Sequence, residues 1–160
     1  MISRMDAVRE IMSNIKDEDI VVTACGMISR EVHAVKDRPR NFYMMGSMGN
    51  ELAIGLGIAM NINEKVIVIS GDAGTLMSLG TLVLHKKLNP KNLAHYILDN
   101  GCHSSTGGQP TCSDKVNFEL LAPNTRVIRV GKEKGDAPRI QYSPLHIKER
   151  FMNAVNHPAC

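Results

Sequence analysis

The sequence has no tryptophan, and aromatic residues make up only 4% of it. It has no run of basic residues either, and its formal net charge is +3. Both absences argue against a nucleic-acid surface, which needs stacking rings and clustered Lys and Arg. Paired cysteine spacing is missing too. Cys25, Cys102, Cys112 and Cys160 form no CxxC unit, so a zinc cluster is not expected and reduced thiols are the default. No segment is long and apolar enough to span a bilayer. Met1 to Glu10 lacks the apolar centre of a secretion signal, so a cytoplasmic location is expected. Repeats, low-complexity tracts and linkers are also absent. What is there is ordinary for a globular chain: 160 residues, 43% hydrophobic and 22% charged. Such a length fits one domain that buries roughly 70% of its unfolded surface without disulfides. A small anionic ligand is compatible with the charge.

The apolar pattern alternates between two periods. Ala7, Val8, Ile11, Met12 and Ile15 fall at helical spacing, with Ser3 as N-cap. Ile20–Thr23 is a β-branched run and reads as a strand. Met27–Val35 reads as a helix, Phe42–Met45 as a short strand, and Met48–Met60 as a buried helix rich in small residues. Val66–Ile69 is a continuous apolar run, the mark of an interior parallel strand. A helix over Leu76–Lys87, a strand over Leu93–Leu98 and a polar loop over Asn100–Thr111 follow. A short helix over Lys115–Leu121 and a strand over Arg126–Val130 come next. Pro144–Val155 closes the chain as a helix capped by Ser143. Strands alternating with helices predict an α/β domain, a three-layer αβα arrangement around a mainly parallel sheet. In such sheets ligands bind beyond the carboxyl ends of the strands. The loops after Met45, Ser70 and Asp99 are therefore the candidate site.

Each of these loops has two readings. In Ser70-Gly71-Asp72-Ala73-Gly74-Thr75 the glycines allow close backbone approach, and the helix start offers an anion site. An Asp amid phosphates requires a cation, and magnesium held by protein and phosphate oxygens supplies one. The alternative is a plain turn with Asp72 as helix cap. Asn100-Gly101 ends the next strand, one helix and one strand after Asp72, so both loops reach the same sheet edge. Asn100 and the Cys102 carbonyl would complete the magnesium shell; a simple turn is the alternative. Gly46-Ser47-Met48-Gly49 sets two glycines around one large apolar side chain, which suits a flat ligand propped on Met48. An isolated Met is otherwise a core residue.

Together these segments resemble the thiamine-diphosphate enzymes. Gly71-Asp72-Ala73, followed about two dozen residues later by Asn100, matches that superfamily's cofactor motif, and Gly46-Ser47-Met48-Gly49 matches its upstream segment. The stretch Leu98-Asp99-Asn100-Gly101-Cys102-His103-Ser104-Ser105-Thr106-Gly107-Gly108-Gln109-Pro110-Thr111 is similar to phosphonopyruvate and sulfopyruvate decarboxylases. Where that family commonly has Gly, this chain has Ala73. The resemblance implies that Asp72, Asn100 and the Cys102 carbonyl bind Mg²⁺. It implies that Gly71, Ala73, Gly74 and Thr75 cradle the diphosphate. Gly46, Ser47 and Met48 would hold the aminopyrimidine, with the Met48 side chain bending the cofactor.

The family further implies a glutamate, on a separate pyrimidine-binding domain, that activates the cofactor. That domain is expected on another chain, an α subunit, with this chain as the β subunit of a hetero-oligomer. Glu51 is read as structural, its charge reaching solvent or a partner. His103 and Thr106 are the candidate catalytic residues, His103 as a proton donor; ordering of the loop is the alternative role. Arg126, Arg129 and Lys132 read as a solvated surface or subunit contact. The expected reaction is non-oxidative decarboxylation of 3-phosphonopyruvate or 3-sulfopyruvate. Half of a carboligase, or a non-catalytic nucleotide-binding or regulatory subunit, are the competing readings.

Overall fold

The computed structural model describes residues 1–156, and Cys160 lies outside them. Helix α1 (Arg4–Ser13) opens the chain, and the Ser3 hydroxyl accepts the Asp6 N–H at 3.0 Å as its cap. Five strands follow: β1 (Ile20–Thr23), β2 (Asn41–Tyr43), β3 (Val66–Gly71), β4 (Leu93–Asp99) and β5 (Thr125–Arg129). They form one sheet in the order β2-β1-β3-β4-β5, and every neighbouring pair is parallel. Helices α2 (Met27–Val35), α3 (Glu51–Ala59), α4 (Asp72–Met77), α5 (Leu79–Leu88), α6 (Phe118–Leu121) and α7 (Pro144–Asn156) connect and cover them. The expected αβα layering is what forms. No helix among the described residues is long and apolar enough to cross a membrane.

The two layers follow from the period-2 geometry of the strands. Val21, Ile67 and Ile69 face a core built with Ala7, Val8 and Ile11 of α1 and Ile28 and Val32 of α2. Ile20, Val22, Val66 and Val68 face the opposite core, with Leu52 and Leu56 of α3 and Leu82 of α5. Helix α3 lies very close to the sheet. A side chain at Gly55 would put its Cβ 2.2 Å from the Val68 Cγ2, which explains the run of small residues there.

Three expected elements are corrected. The helix over Leu76–Lys87 is two helices, α4 and α5, divided at Ser78, whose backbone leaves helical geometry at φ −121° and ψ 40°. The division lies where the Gly49 backbone presses on the turn: a Cβ at Gly49 would stand 2.6 Å from the Gly74 carbonyl oxygen and 2.9 Å from the Ser78 Oγ. The helix expected from Met48 begins only at Glu51, because Gly49 has φ +90°, outside any right-handed helix. The short helix at Lys115–Leu121 is a 3₁₀ turn, Ser113–Lys115, followed by α6. Val116 is extended between them, and the Asn117 side chain caps α6 by accepting the Leu120 N–H at 3.2 Å.

The strand order places the site. The chain leaves β1 toward β2 on one side and returns to β3 on the other. The carboxyl ends of β1 and β3 therefore border a topological switch point, where open parallel sheets leave a crevice.

Candidate active site

A cleft of about 270 Å³ lies at that switch point. Asp72, Gly71 and Gly74 line it from the β3–α4 junction, Asn100 and His103 from the loop after β4, and Met48 from the loop after β2. The three loops singled out by sequence thus meet in one place.

Asp72 is the first residue of α4 and is 3% exposed. Gly71 is the N-cap and offers no side-chain hydrogen bond, so Asp72 is not the cap. Among the described residues, the one side chain that donates to Asp72 is Thr111, through Oγ1 to Oδ2. Burial pushes the Asp72 carboxyl up; the Thr111 hydrogen bond opposes this, and the nearby Asp99 charge adds to it. The backbone N–H groups of Asp72 and Ala73 favour the charged form too, yet burial outweighs all of these donors, so the carboxylate is under-neutralised. A bound cation would reverse that balance.

Asn100 orders its own loop. Its Oδ1 accepts the Cys102 N–H at 3.1 Å, and its Nδ2 donates to Ser104 Oγ at 2.6 Å. Asp99, 1% exposed, accepts from Gly101 N–H and Ser113 Oγ, each at 2.9 Å, and from Arg129 Nη1 at 2.5 Å. Arg129 stays largely exposed, as a solvated surface residue would, and its guanidinium also pairs with Asp99 beside the site. The loop beyond is a small hairpin, with Cys102 bridging Pro110. The His103 carbonyl accepts from Thr106 N–H at 3.1 Å and Gly108 N–H at 3.0 Å. The Thr106 hydroxyl donates within the loop, to the His103 carbonyl at 3.4 Å and Gln109 Oε1 at 3.3 Å. His103 and Thr106 both line the cleft.

The residues present fit a magnesium–diphosphate group. Asp72, the Asn100 amide and the Cys102 carbonyl offer only hard oxygen donors, the set magnesium takes. No cluster of three His, Cys, Asp or Glu occurs among the described residues, so no nitrogen- or sulfur-rich metal site competes. Gly49 at φ +90° and Gly74 lie so close that a Cβ at Gly74 would stand 3.4 Å from the Gly49 N. Ser47 takes the left-handed conformation, φ 53°, and Gly46, Ser47 and Met48 are exposed beside the cleft.

Sequence reasoning missed a fourth wall. Arg4, Cys25, Gly26 and Met27 also line the cleft. Cys25-Gly26 follows β1 directly and precedes α2, the same strand–glycine–helix signal that marked the loop after β3. Arg4 is brought in by the pairing of Ile2 with Val130 beyond β5. Glu31 holds its guanidinium with two bonds of 2.8 Å. Glu51 was expected to reach solvent or a partner, and that is corrected too: it is 1% exposed, with Oε2 accepting the Gly49 N–H at 3.0 Å.

Comparison with known proteins agrees with this geometry. The family model described as thiamine pyrophosphate enzyme, C-terminal TPP binding domain, matches residues 22–155. Sulfopyruvate decarboxylase subunit beta of Methanocaldococcus jannaschii is 40% identical over 157 residues, covering 98% of this chain and 79% of that protein. Its namesake from Methanococcus maripaludis is 35% identical, covering 96% and 98%. Phosphonopyruvate decarboxylase of Streptomyces hygroscopicus is 40% identical over 120 residues, 75% of this chain but only 30% of that protein.

Proposed function

The chain belongs to the thiamine pyrophosphate enzymes, as their C-terminal TPP binding domain, and from that premise we propose that it is the cofactor-holding subunit of a decarboxylase of an acidic 3-substituted pyruvate. The observation that carries this reading is the meeting of Asp72 and Asn100 on one cleft at the switch point. The relatives that match along most of their own length are named for sulfopyruvate. That sets 3-sulfopyruvate first as substrate and 3-phosphonopyruvate second. The products are carbon dioxide and the corresponding acetaldehyde.

When bound, thiamine diphosphate supplies the electron sink that loss of carbon dioxide requires. The chain's own residues hold and orient. Asp72, Asn100 and the Cys102 carbonyl ligate Mg²⁺. Gly71, Ala73, Gly74 and Thr75 cradle the diphosphate through α4 and its approach. Gly46, Ser47 and Met48 hold the pyrimidine end, with the exposed Met48 side chain as the prop. His103 and Thr106 stand at the rim, where His103 can deliver a proton to product and Thr106 keeps the hairpin in shape.

The whole chain acts as one cofactor-binding domain, and the pyrimidine-binding domain, with the glutamate that activates the cofactor, comes from an α subunit. Glu51 is unsuited to that role, because it is buried and engaged by the Gly49 amide. The free thiols Cys25, Cys102 and Cys112 suit a cytoplasmic hetero-oligomer.

The test combines this chain with the candidate α subunit and follows aldehyde release from 3-sulfopyruvate, 3-phosphonopyruvate and pyruvate. Turnover of the first is expected only with both chains present. Turnover by this chain alone would remove the two-subunit reading. Tighter binding of ATP or NAD than of thiamine diphosphate with Mg²⁺ would remove the cofactor reading. Asp72→Ala is expected to abolish cofactor retention in the assembled enzyme; unchanged retention would overturn the metal assignment.

A further inference from the structure

Behind the cleft, and outside the residues assigned above, runs a row of buried polar side chains. Glu51 on α3 is 1% exposed, Ser70 on β3 is 1% exposed, and His95 on β4 is fully buried. His95 Nε2 and Ser70 Oγ are 2.9 Å apart. The Ser70 hydroxyl lies beside the Glu51 carboxyl and favours its charged form. Yet among the described residues no group completes a hydrogen bond to Glu51 Oε1, and His95 Nδ1 is likewise without a partner. Burial pushes the Glu51 carboxyl up and holds the His95 imidazole neutral, down to about 3. Other titratable groups nearby are Cys25, whose thiol the Glu51 charge helps to raise, and His85, whose ring lies 6.5 Å from that of His95. A buried carboxyl with an unused oxygen is not what stability alone selects, since such a group bears its full desolvation penalty.

Its contacts show what it does. Glu51 Oε2 takes the Gly49 N–H at 3.0 Å. Gly49 is buried at φ +90°, so that amide has turned inward and would be orphaned without the carboxyl. On the other side, Glu51 Oε1 is the atom nearest to a Cβ built at Gly74, at 3.2 Å. One side chain therefore bonds the loop after β2 and fills the space beside Gly74 in the first turn of α4, where a Cβ would meet it. The peptide is planar and trans, so fixing the Gly49 N–H also fixes the Met48 carbonyl on the opposite side.

We infer that Glu51 is a positioning residue for the cofactor, bracing the Gly46–Gly49 loop against α4 from inside the protein. The inference rests on the reading that this cleft takes thiamine diphosphate. The brace acts through the acceptor that Glu51 gives to Gly49, so an amide can replace the acid. Glu51→Gln keeps that acceptor, and its amide nitrogen can donate to Ser70. Glu51→Met fills the same space with no acceptor and removes the unpaired oxygen. Glu51→Asp keeps the charge but withdraws it by one methylene.

The experiment is a calorimetric titration of thiamine diphosphate with Mg²⁺ into the full chain assembled with its partner subunit. Unfolding midpoints of the cofactor-free proteins are measured alongside. Glu51→Gln is expected to bind within about threefold of wild type. Glu51→Met and Glu51→Asp are expected to bind at least about tenfold more weakly, the scale of one lost hydrogen bond to a charged acceptor. The Glu51→Met midpoint is expected to hold or rise, which a merely structural residue would not allow. Faster hydrogen exchange at the Gly49 amide is expected in both weak binders. Wild-type affinity in Glu51→Met or Glu51→Asp, an affinity loss that only follows a falling midpoint, or a Glu51→Gln as weak as Glu51→Met would each overturn the inference. Failure of the wild type to bind the cofactor would instead remove the reading on which it rests.

Discussion

Asp37 and Glu51 are two carboxylates in opposite surroundings. Asp37 is partly exposed, yet every lone pair of use is taken. Arg150 donates to it twice, at 2.8 and 2.9 Å, Tyr43 donates at 2.8 Å and Tyr142 at 3.0 Å. Arg150 also stacks over the Tyr142 ring at 4.7 Å. Burial alone would raise the Asp37 carboxyl, but the hydrogen bonds from Arg150 and Tyr43 outweigh it and hold it at about 2. Glu51 is almost wholly buried and has one backbone donor. The first cluster ties α7 to the end of α2 and to β2; its carboxylate has no oxygen left over for a ligand, although Arg150 Nε has no partner among the described residues. The second borders the cleft and is incomplete. Saturated polar networks hold a fold together, whereas unsaturated ones beside a cleft mark where a ligand or a moving proton completes them.

Removing Arg150 should have the largest effect on stability. Arg150→Met strips Asp37 of its two charge-assisted bonds and is expected to cost roughly 2 kcal/mol, within the range for hydrogen bonds to charged groups. Cofactor affinity should not change. Urea unfolding and cofactor titration of the same protein check both halves; a drop in affinity without loss of stability would erase the distinction between the two clusters. A smaller effect is expected from Thr111→Val, which deletes the side-chain donor to Asp72 found among the described residues. The cofactor-free chain should lose about 1 kcal/mol, the usual worth of one such bond. Mg²⁺ can replace that proton, so cofactor affinity should stay within about threefold. A large loss of affinity would make Thr111 part of the binding machinery itself.

The sequence made the sheet legible because interior parallel strands are unbroken apolar runs, and Val66–Ile69 is such a run. The three loops were legible because each follows a predicted strand end, the edge where parallel sheets bind ligands, and because together they match one family's motif. What stayed hidden depended on strand order. The β1 end became part of the cleft because β1 lies between β2 and β3, and Cys25-Gly26 carried the strand–glycine–helix signal without an Asp or Asn to draw notice. Arg4 entered through the pairing of Ile2 with Val130, a contact between distant segments that no local pattern encodes. The break at Ser78 coincides with the close approach of Gly49, again a proximity of distant segments. Glu51 was misjudged because a charged residue on a helix is usually solvated. Its neighbour Gly49, at φ +90°, turns an amide inward and claims it.

The contrast between the two clusters should also appear, more faintly, in how stability depends on pH. Asp37 is held at about 2 against an ordinary 3.8, so its contribution is complete above the ordinary value and is lost as pH falls through about 2. Asp72 and Glu51 are raised by burial. The folded chain then binds more protons than the unfolded one, and acidification above their ordinary values of 3.8 and 4.5 stabilises the cofactor-free protein through these two groups. His95, lowered to about 3, and His85, also lowered, act against them: the unfolded chain takes up protons near 6.5, so stability falls below that pH. The net slope mixes both signs, and difference curves separate them. Wild type minus Asp72→Asn should rise as pH falls toward the ordinary carboxyl value of 3.8, while wild type minus Arg150→Met should fall only below about 4. Saturating thiamine diphosphate and Mg²⁺ should abolish the rise in the first curve, because a bound cation keeps Asp72 ionised. A first difference curve that falls on acidification without cofactor would mean that Asp72 is already neutralised by the protein, and the division between saturated and unsaturated carboxylates would fail where it matters for binding.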